Sequence, residues 1–524
     1  MLHKFFVVVD DPAYKDEIHQ ELAAPTGDEI IPSRSVQSIN TMPGSEYNST
    51  FYLTQEEADA LMSDLRIKSV TRDAEALGIQ KKLLGTRSGV FYRDGSPIIS
   101  NTHKNWGLVR SLFRENNYGS LNTTSTQYTY NLDGTGVDII IMDSGVESGH
   151  PEFAVNADGT GGSRVINHNW AQYGYLTTPV GGFDGDCDGH GSNCASIAAG
   201  NTCGWASGAN IYSLRCVGTG AFTETSIFDG RELEILDNIA CWQSIRAFHN
   251  AKPIDPTTGY KRPTIVNCSF GYFNQYTRLT SITYRGSTFA VTTTSGTYGT
   301  IGVPQGSTAG GVHGIDYPPE DAEIRSCLNA GIIIVGAAGN DRHKIDVPGG
   351  LDYNNQWTEY TGFSYYYHRG GTPTWNPGVI MVGCIASGAN TAANSEHKRN
   401  FSNCGPRVDI WAPGDYIMGA YANAAYATAP LADPRNSSYY LNKVSGTSQA
   451  CPQVAGVLSC VLQMRPWFTA TNAMNWLVAV SPPWPVNEAF YAGSGYTSFG
   501  SLQGGPNRAL YMPYNLPDPV TITG

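Results

Sequence analysis

Five short apolar runs recur along this chain and restrict its fold more than any other feature: "VDIIIM" (137–142), "NIYSL" (210–214), "TIVN" (264–267), "GIIIVG" (331–336) and "VIMVGC" (379–384). Each is apolar at consecutive positions instead of alternate ones, the pattern of strands covered on both faces in a parallel sheet. Helical stretches lie between them. "RELEILDNIACWQSIRAF" places Leu233, Leu236, Ile239, Ala240 and Trp242 at helical spacing, and "PEDAEIRSCLNAG" ends on Gly331 as a cap. The reading is a doubly wound, mostly parallel α/β domain over residues 105–524.

The front of the chain follows a different pattern. Residues 1–73 read as strand, helix, strand, helix, strand, a small α+β unit in which Thr54 caps the helix carrying Glu56, Glu57 and Leu61. Residues 74–104 have few periodic apolar positions and the basic pair Lys81 and Lys82, and read as a protease-exposed linker. Three stretches rich in Tyr, Thr, Ser, Gly and Asn interrupt the α/β pattern near 272–316, 341–375 and 416–442. The first has only Arg278, Arg285 and Asp316 as charges, which favours short hairpins packed on the core or on an assembly partner over long solvated coil. Plain surface loops are the competing reading.

The charge balance, 33 basic against 45 acidic residues for a net charge of −12, argues against nucleic acid or an anionic membrane surface as a partner. The N-terminal apolar run, Phe5 to Val9, is too short for a signal-peptide core and reads as a strand, and no stretch is long enough to cross a bilayer. The expectation is therefore a cytoplasmic protein, or one packaged in a viral or phage particle. The 11 cysteines are an odd number without an export signal, which points to thiols. Cys216, Cys268, Cys384 and Cys460 sit in apolar runs, and Cys187 and Cys203, in polar loops, are the candidates for a bridge.

Open α/β sheets collect functional groups at the carboxyl ends of their strands. Asp143 follows the first run in "DSG"; alone, it reads as a turn or cap residue. His190 lies between Gly189 and Gly191 at the start of a small-residue helix, a spacing that suggests close approach of another backbone. Asp184, Asp186 and Asp188 before it resemble the opening of a calcium loop, but Ala195 stands where the closing glutamate belongs, so an EF-hand is excluded. Ser448, in "GTSQACPQVAG", opens a wholly apolar helix among small residues that let a substrate backbone approach, with Pro452 expected in its first turn. Asn340 ends "GIIIVGAAGN", where its amide can donate to an oxyanion beside the Ser448 N–H, although a turn role is the commoner one.

Taken together these residues resemble the subtilases, the subtilisin-like serine peptidases. All eight specified positions of the serine motif GTSxAxPxVAG are present at Gly446, Thr447, Ser448, Ala450, Pro452, Val454, Ala455 and Gly456. "HGSNCA" is similar to the histidine motif with serine for threonine, and Cys194 falls where the proteinase K branch often has a cysteine. "VNCSFG" and "GAAGN" resemble the substrate-lining segments, with Ser269, Gly271, Ala337 and Gly339 as the lining residues. "FYLTQEEADALMSDLRIKSVTRD" is similar to the second half of an inhibitor I9 propeptide of ferredoxin-like fold. The resemblance implies a serine endopeptidase with Asp143, His190 and Ser448 as triad and Asn340 in the oxyanion hole, acting on polypeptides. It implies no cofactor for the chemistry, structural calcium with Asp184 and Asp186 as candidates, and residues 1–73 as an intramolecular inhibitor removed on maturation. The alternative from another class is a virion or surface-assembly protein that keeps the fold without the chemistry.

Overall fold

The protein is described here from a computed structural model, which describes residues 2–513 except 25–33, 40–46, 73–84, 89–90, 92–103, 115–126, 180, 219–223, 229–230, 236–237, 276–278, 291–311, 361, 388–395, 423–429 and 482–501. The chain divides into two compact units, residues 1–83 and 84–524.

In the first unit, β1 (His3–Val9) is flanked by β2 (Asn48–Leu53) and β3 (Ile67–Arg72), both antiparallel to it. Helices α1 (Tyr14–Ala23) and α2 (Gln55–Leu61) cover one face. Alternate residues Phe5, Val7 and Val9 meet Ile18, Leu22, Phe51, Leu53 and Leu61 in a separate core, the half-buried pattern of an antiparallel sheet. Thr54 caps α2 in a full capping box: Glu57 N–H donates to Thr54 Oγ1 at 3.2 Å, and Thr54 N–H donates to Glu57 Oε2 at 2.7 Å.

The second unit is built on seven parallel strands in the order β21-β20-β17-β12-β6-β8-β7. These are β6 (Asp138–Asp143), β7 (Val165–Ile166), β8 (Asn210–Arg215), β12 (Thr264–Cys268), β17 (Ile333–Ala337), β20 (Ile380–Ile385) and β21 (Ile410–Pro413). Successive residues of β6 enter opposite cores. Ile139 and Ile141 pack toward α4 (His190–Ala199), α7 (Thr447–Met464) and α8 (Ala470–Val480), whereas Ile140 and Met142 pack toward α5 (Asn238–Ala251) and α6 (Pro318–Asn329). That double burial is why the strand sequences are continuously apolar. Strand order reverses at β6: the chain leaves it for β7 and β8 on one side, then crosses to β12 on the other. The crevice at the carboxyl ends of β6 and β12 is therefore where such a sheet binds ligands.

Several expectations need correction. "RELEI" is not helical: β11 (Arg231–Ile235) pairs antiparallel with β10 (Glu224–Phe228) and β9 (Val217–Gly218), and α5 begins only at Asn238. Leu233 thus lies in a strand, and Leu236 lies outside the described residues. Part of the stretch read as linker belongs to the second unit. β4 (Gly85–Ser88) pairs with β5 (Gln127–Tyr130), and Phe91 is fully buried in the main core. The helix α3 (Trp106–Arg110) follows, with Trp106 Nε1 donating to Asp415 O at 2.9 Å. All eleven cysteines are free, so Cys187 and Cys203 form no bridge.

The interrupting stretches pair with one another. β13 (Phe273–Gln275) pairs with β16 (Val312–Gly314). β14 (Leu279–Tyr284) and β15 (Ser287–Ala290) from the first stretch join β18 (Gln356–Glu359) and β19 (Ser364–Tyr366) from the second, in the order β15-β14-β18-β19. The third stretch supplies β22 (Ile417–Tyr421), β23 (Leu431–Asp433) and β24 (Asn436–Val444), and β22 packs on α4.

Candidate active site

Asp143 ends β6 and is fully buried; His190 opens α4 and is 6% exposed. His190 Nδ1 lies 2.9 Å from Asp143 Oδ1 and 3.1 Å from Oδ2. Burial works against an imidazolium, but the adjacent Asp143 carboxylate outweighs it and holds the His190 pKa well above the ordinary histidine value of 6.5. The contact depends on close backbone packing at both flanking glycines. A Cβ on Gly189 would press into the Tyr421 ring, and one on Gly191 would collide with the Gly145 carbonyl.

The aspartate-rich loop before His190 is braced by its own chain. Asp186 Oδ1 accepts from Ser144 Oγ (2.8 Å), Asp188 N (3.0 Å) and Gly189 N (2.8 Å), and Oδ2 accepts from Ser192 N (2.9 Å). Burial raises its pKa. With four protein donors on this carboxylate, Asp186 does not fit a calcium ligand, and Asp184 enters the loop through its backbone carbonyl, which accepts from Val146 N.

Ser448 is the second residue of α7 and only half-buried. Its Oγ donates to Ser269 O at 3.0 Å. Its own carbonyl takes unusual partners because of Pro452. The proline sits inside α7, not in the first turn as the sequence suggested, and stands four residues after Ser448, where a backbone N–H would otherwise have bonded that carbonyl. Ser448 O instead accepts from Ser269 Oγ at 2.8 Å and Cys194 Sγ at 3.5 Å. One freed acceptor thereby joins the end of β12, helix α4 and helix α7. Cys194 also approaches the histidine: its Sγ, the Asp143 carboxylate and a His190 ring nitrogen lie within 4.8 Å of one another. Burial raises the Cys194 pKa, so it is present as the neutral thiol.

Asn340 follows β17 and is exposed. Its Oδ1 accepts from Thr447 N and Thr447 Oγ1, both at 2.9 Å, which fixes the amide and turns Nδ2 away from those donors, beside Gly446. Ala337 and Gly339 lie just before it, and the Gly339 N–H donates to Thr447 Oγ1 at 3.1 Å. On the opposite side Ser269 leads from β12 into exposed Gly271, and Tyr272 N donates to Thr372 O at 2.9 Å. The sequence reading had no signal for the Ser269–Ser448 bonds, which are set by tertiary packing; the signal for the freed carbonyl was the position of Pro452 four residues on.

With this geometry in place, comparison with known proteins gives a consistent answer. Residues 134–493 match the subtilase family, and the chain belongs to that family. It is 24% identical over 391 residues to an extracellular serine proteinase of Thermus sp., covering 74% of this chain and 62% of that one. It is 23% identical over 418 residues to a subtilisin-like serine protease of Cochliobolus lunatus, covering 79% and 58%. The chain thus spans about three-fifths of the length of these relatives. Among solved structures it is similar to a cold adapted subtilisin-like serine proteinase, with a TM-score of 0.46, 20% identity and coverage of 79% of this chain and 99% of that one. Subtilases need no cofactor for their chemistry. The cytoplasmic or particle-packaged location expected from the sequence does not stand, because the Thermus relative is by name an extracellular proteinase. Among the described residues no helix is long and apolar enough to cross a membrane.

Proposed function

We propose that this chain is a serine endopeptidase that cleaves peptide bonds through an acyl-enzyme, with Ser448 as nucleophile, His190 as general base and acid, and Asp143 as its orienting partner. The observation that carries this reading is the buried Asp143–His190 pair at the ligand-binding end of β6. Nδ1 bonded to the carboxylate leaves Nε2 as the nitrogen that exchanges protons.

The Ser448 hydroxyl turns from the Ser269 carbonyl to Nε2, and Oγ attacks the scissile carbonyl carbon as its proton passes to His190. The oxyanion that forms accepts from Asn340 Nδ2 and from the Ser448 N–H, one of the first α7 donors without an intrahelical partner. Collapse breaks the C–N bond, and His190 gives its proton to the departing amine. Water, deprotonated by His190, then attacks the acyl ester; the bond to Ser448 Oγ breaks, the carboxylic acid product leaves and His190 returns the proton to Oγ. Substrate lies extended between Ser269–Gly271 and Ala337–Gly339, whose small residues leave room for its backbone.

The first unit folds around its own core, which supports reading residues 1–73 as an inhibitory propeptide removed by the enzyme itself. Intact mass of the purified chain and of Ser448→Ala tests both steps. The expected result is loss of the N-terminal segment in the parent alone. Retention in both, together with no cleavage of a denatured protein substrate by the parent, overturns the proposal.

A further inference from the structure

The reacting groups sit on two different helices, so their approach depends on how α4 and α7 are held together. At the site a buried amide pair does this beside the Cys194–Ser448 contact. Gln449, the residue after Ser448, is 1% exposed, and its Nε2 donates to Oδ1 of Asn193, which is fully buried three residues after His190. The separation is 3.2 Å. Residues three apart share a helix face, so Asn193 lies on the side of α4 that carries the imidazole.

The pair extends into the third interrupting stretch. Asn193 Nδ2 donates to Ala420 O at 3.3 Å, and Ala420 N donates at 2.8 Å to Ser196 Oγ, which itself donates to Asn193 O. Both backbone groups of Ala420 are thereby tied to α4, and the adjacent Tyr421 ring packs against Gly189, immediately before His190. A buried amide has little freedom to be elsewhere, because each unmade bond costs its desolvation.

We propose that Gln449 and Asn193 are a positioning pair that sets the approach of His190 to Ser448, and that strand β22 holds the Asn193 end of it. This rests on reading Ser448 and His190 as nucleophile and base. Neither amide touches substrate; the pair acts through the two helices.

The test is the second-order rate of Ser448 phosphonylation by a small fluorophosphonate, in which Oγ displaces fluoride from phosphorus and which needs an activated serine but little substrate binding, alongside kcat and KM on a peptide. Gln449→Met keeps the length and removes the donor; Gln449→Ala is the second variant, and rates are taken on the folded fraction below its thermal midpoint. The expected result is a fall of about 10- to 100-fold in phosphonylation rate and in kcat, since displacements near 1 Å cost about that much, with KM nearly unchanged. The acid midpoint of the pH profile should not move, because the Asp143–His190 contact is intact. Adding Asn193→Ala to Gln449→Met should slow the reaction little beyond the slower single variant, as expected for residues that act as a pair. Folded variants that react with the fluorophosphonate within about twofold of the parent's rate, or an effect confined to KM, overturn the proposal. A parent chain that does not react at all defeats the reading of Ser448 itself; a reactive parent with equally reactive variants defeats only the positioning pair.

Discussion

The seven-stranded parallel sheet and the four-stranded inserted sheet are made of equally short strands, yet they bury different chemistry. β6, β12 and β17 are buried on both faces; Asp143 ends the first, Ser269 follows the second and Asn340 comes soon after the third, while His190 and Ser448, the proposed base and nucleophile, open helices α4 and α7. Among the described residues the inserted sheet buries one small cluster, Ile282, Trp357 and Tyr367, and packs it against imidazoles: the His313 and Trp357 ring centroids are 3.7 Å apart. Double-sided apolar burial gives a frame stiff enough to hold the proposed triad, whereas a sheet with one thin apolar face depends on buried polar groups remaining uncharged.

Substitutions can break or sharpen that contrast. At the ends of the parallel strands the effects should fall on turnover while the fold survives. Ser448→Ala should lower kcat by on the order of 10⁶, measured by peptide hydrolysis with thermal unfolding as the control. Asp143→Asn should cost about 10⁴, as expected when the imidazole loses its orienting carboxylate. It should also shift the pH profile. In the parent, activity is lost as pH falls through a His190 pKa well above 6.5; without the carboxylate the largest raising influence is gone and burial, the largest cause, lowers the value against the smaller raising effect of Cys194, so the acid limb should move down. Asn340→Ala should cost roughly 10² to 10³ in kcat with little change in KM.

In the inserted sheet the effects should fall on stability. Ile282→Ala should destabilise by about 2–5 kcal/mol, read by denaturant unfolding in the Ser448→Ala background, and leave kcat of the folded enzyme within a few-fold in the active one. A large loss of kcat there would erase the distinction between the two sheets. The smallest effect is on pH dependence. Burial pushes His313 well below the ordinary histidine value and His368 down to about 4. The groups around them include His343, Lys344, Asp346, Asp352, Trp357 and Tyr367. A histidine held neutral in the fold binds more protons when unfolded, so its contribution is present above about pH 6.5 and is lost as pH falls toward 4. Thermal unfolding of Ser448→Ala between pH 7 and 5 should show a falling midpoint, and His313→Phe should flatten that slope.

The same contrast explains what could be read from the chain. Five core strands were legible because both faces are apolar, and Asp143, His190, Ser448 and Asn340 could be proposed as site residues because each stands in a short motif next to such a run or helix. β7 and β21 were not legible: one has two residues, and the other, "IWAP", ends in proline. β11 was misread because Leu233, Leu236 and Ile239 satisfy a helical period, although Glu232, Leu233, Glu234 and Ile235 alternate as a strand does. The pairing of β14 with β18 joins residues 73–80 positions apart, from Thr283 with Gln356 to Leu279 with Glu359, and no local pattern encodes that. Gln449 and Asn193 were invisible for the same reason, since an amide pair between two helices has no signature in either.

The most direct test of the account is the reaction of the purified chain with a fluorophosphonate, followed by peptide mapping. The account predicts a single adduct on Ser448, absent from Ser448→Ala and slowed by several orders of magnitude in His190→Ala. No adduct on a folded parent chain, or one that persists in Ser448→Ala, would contradict it.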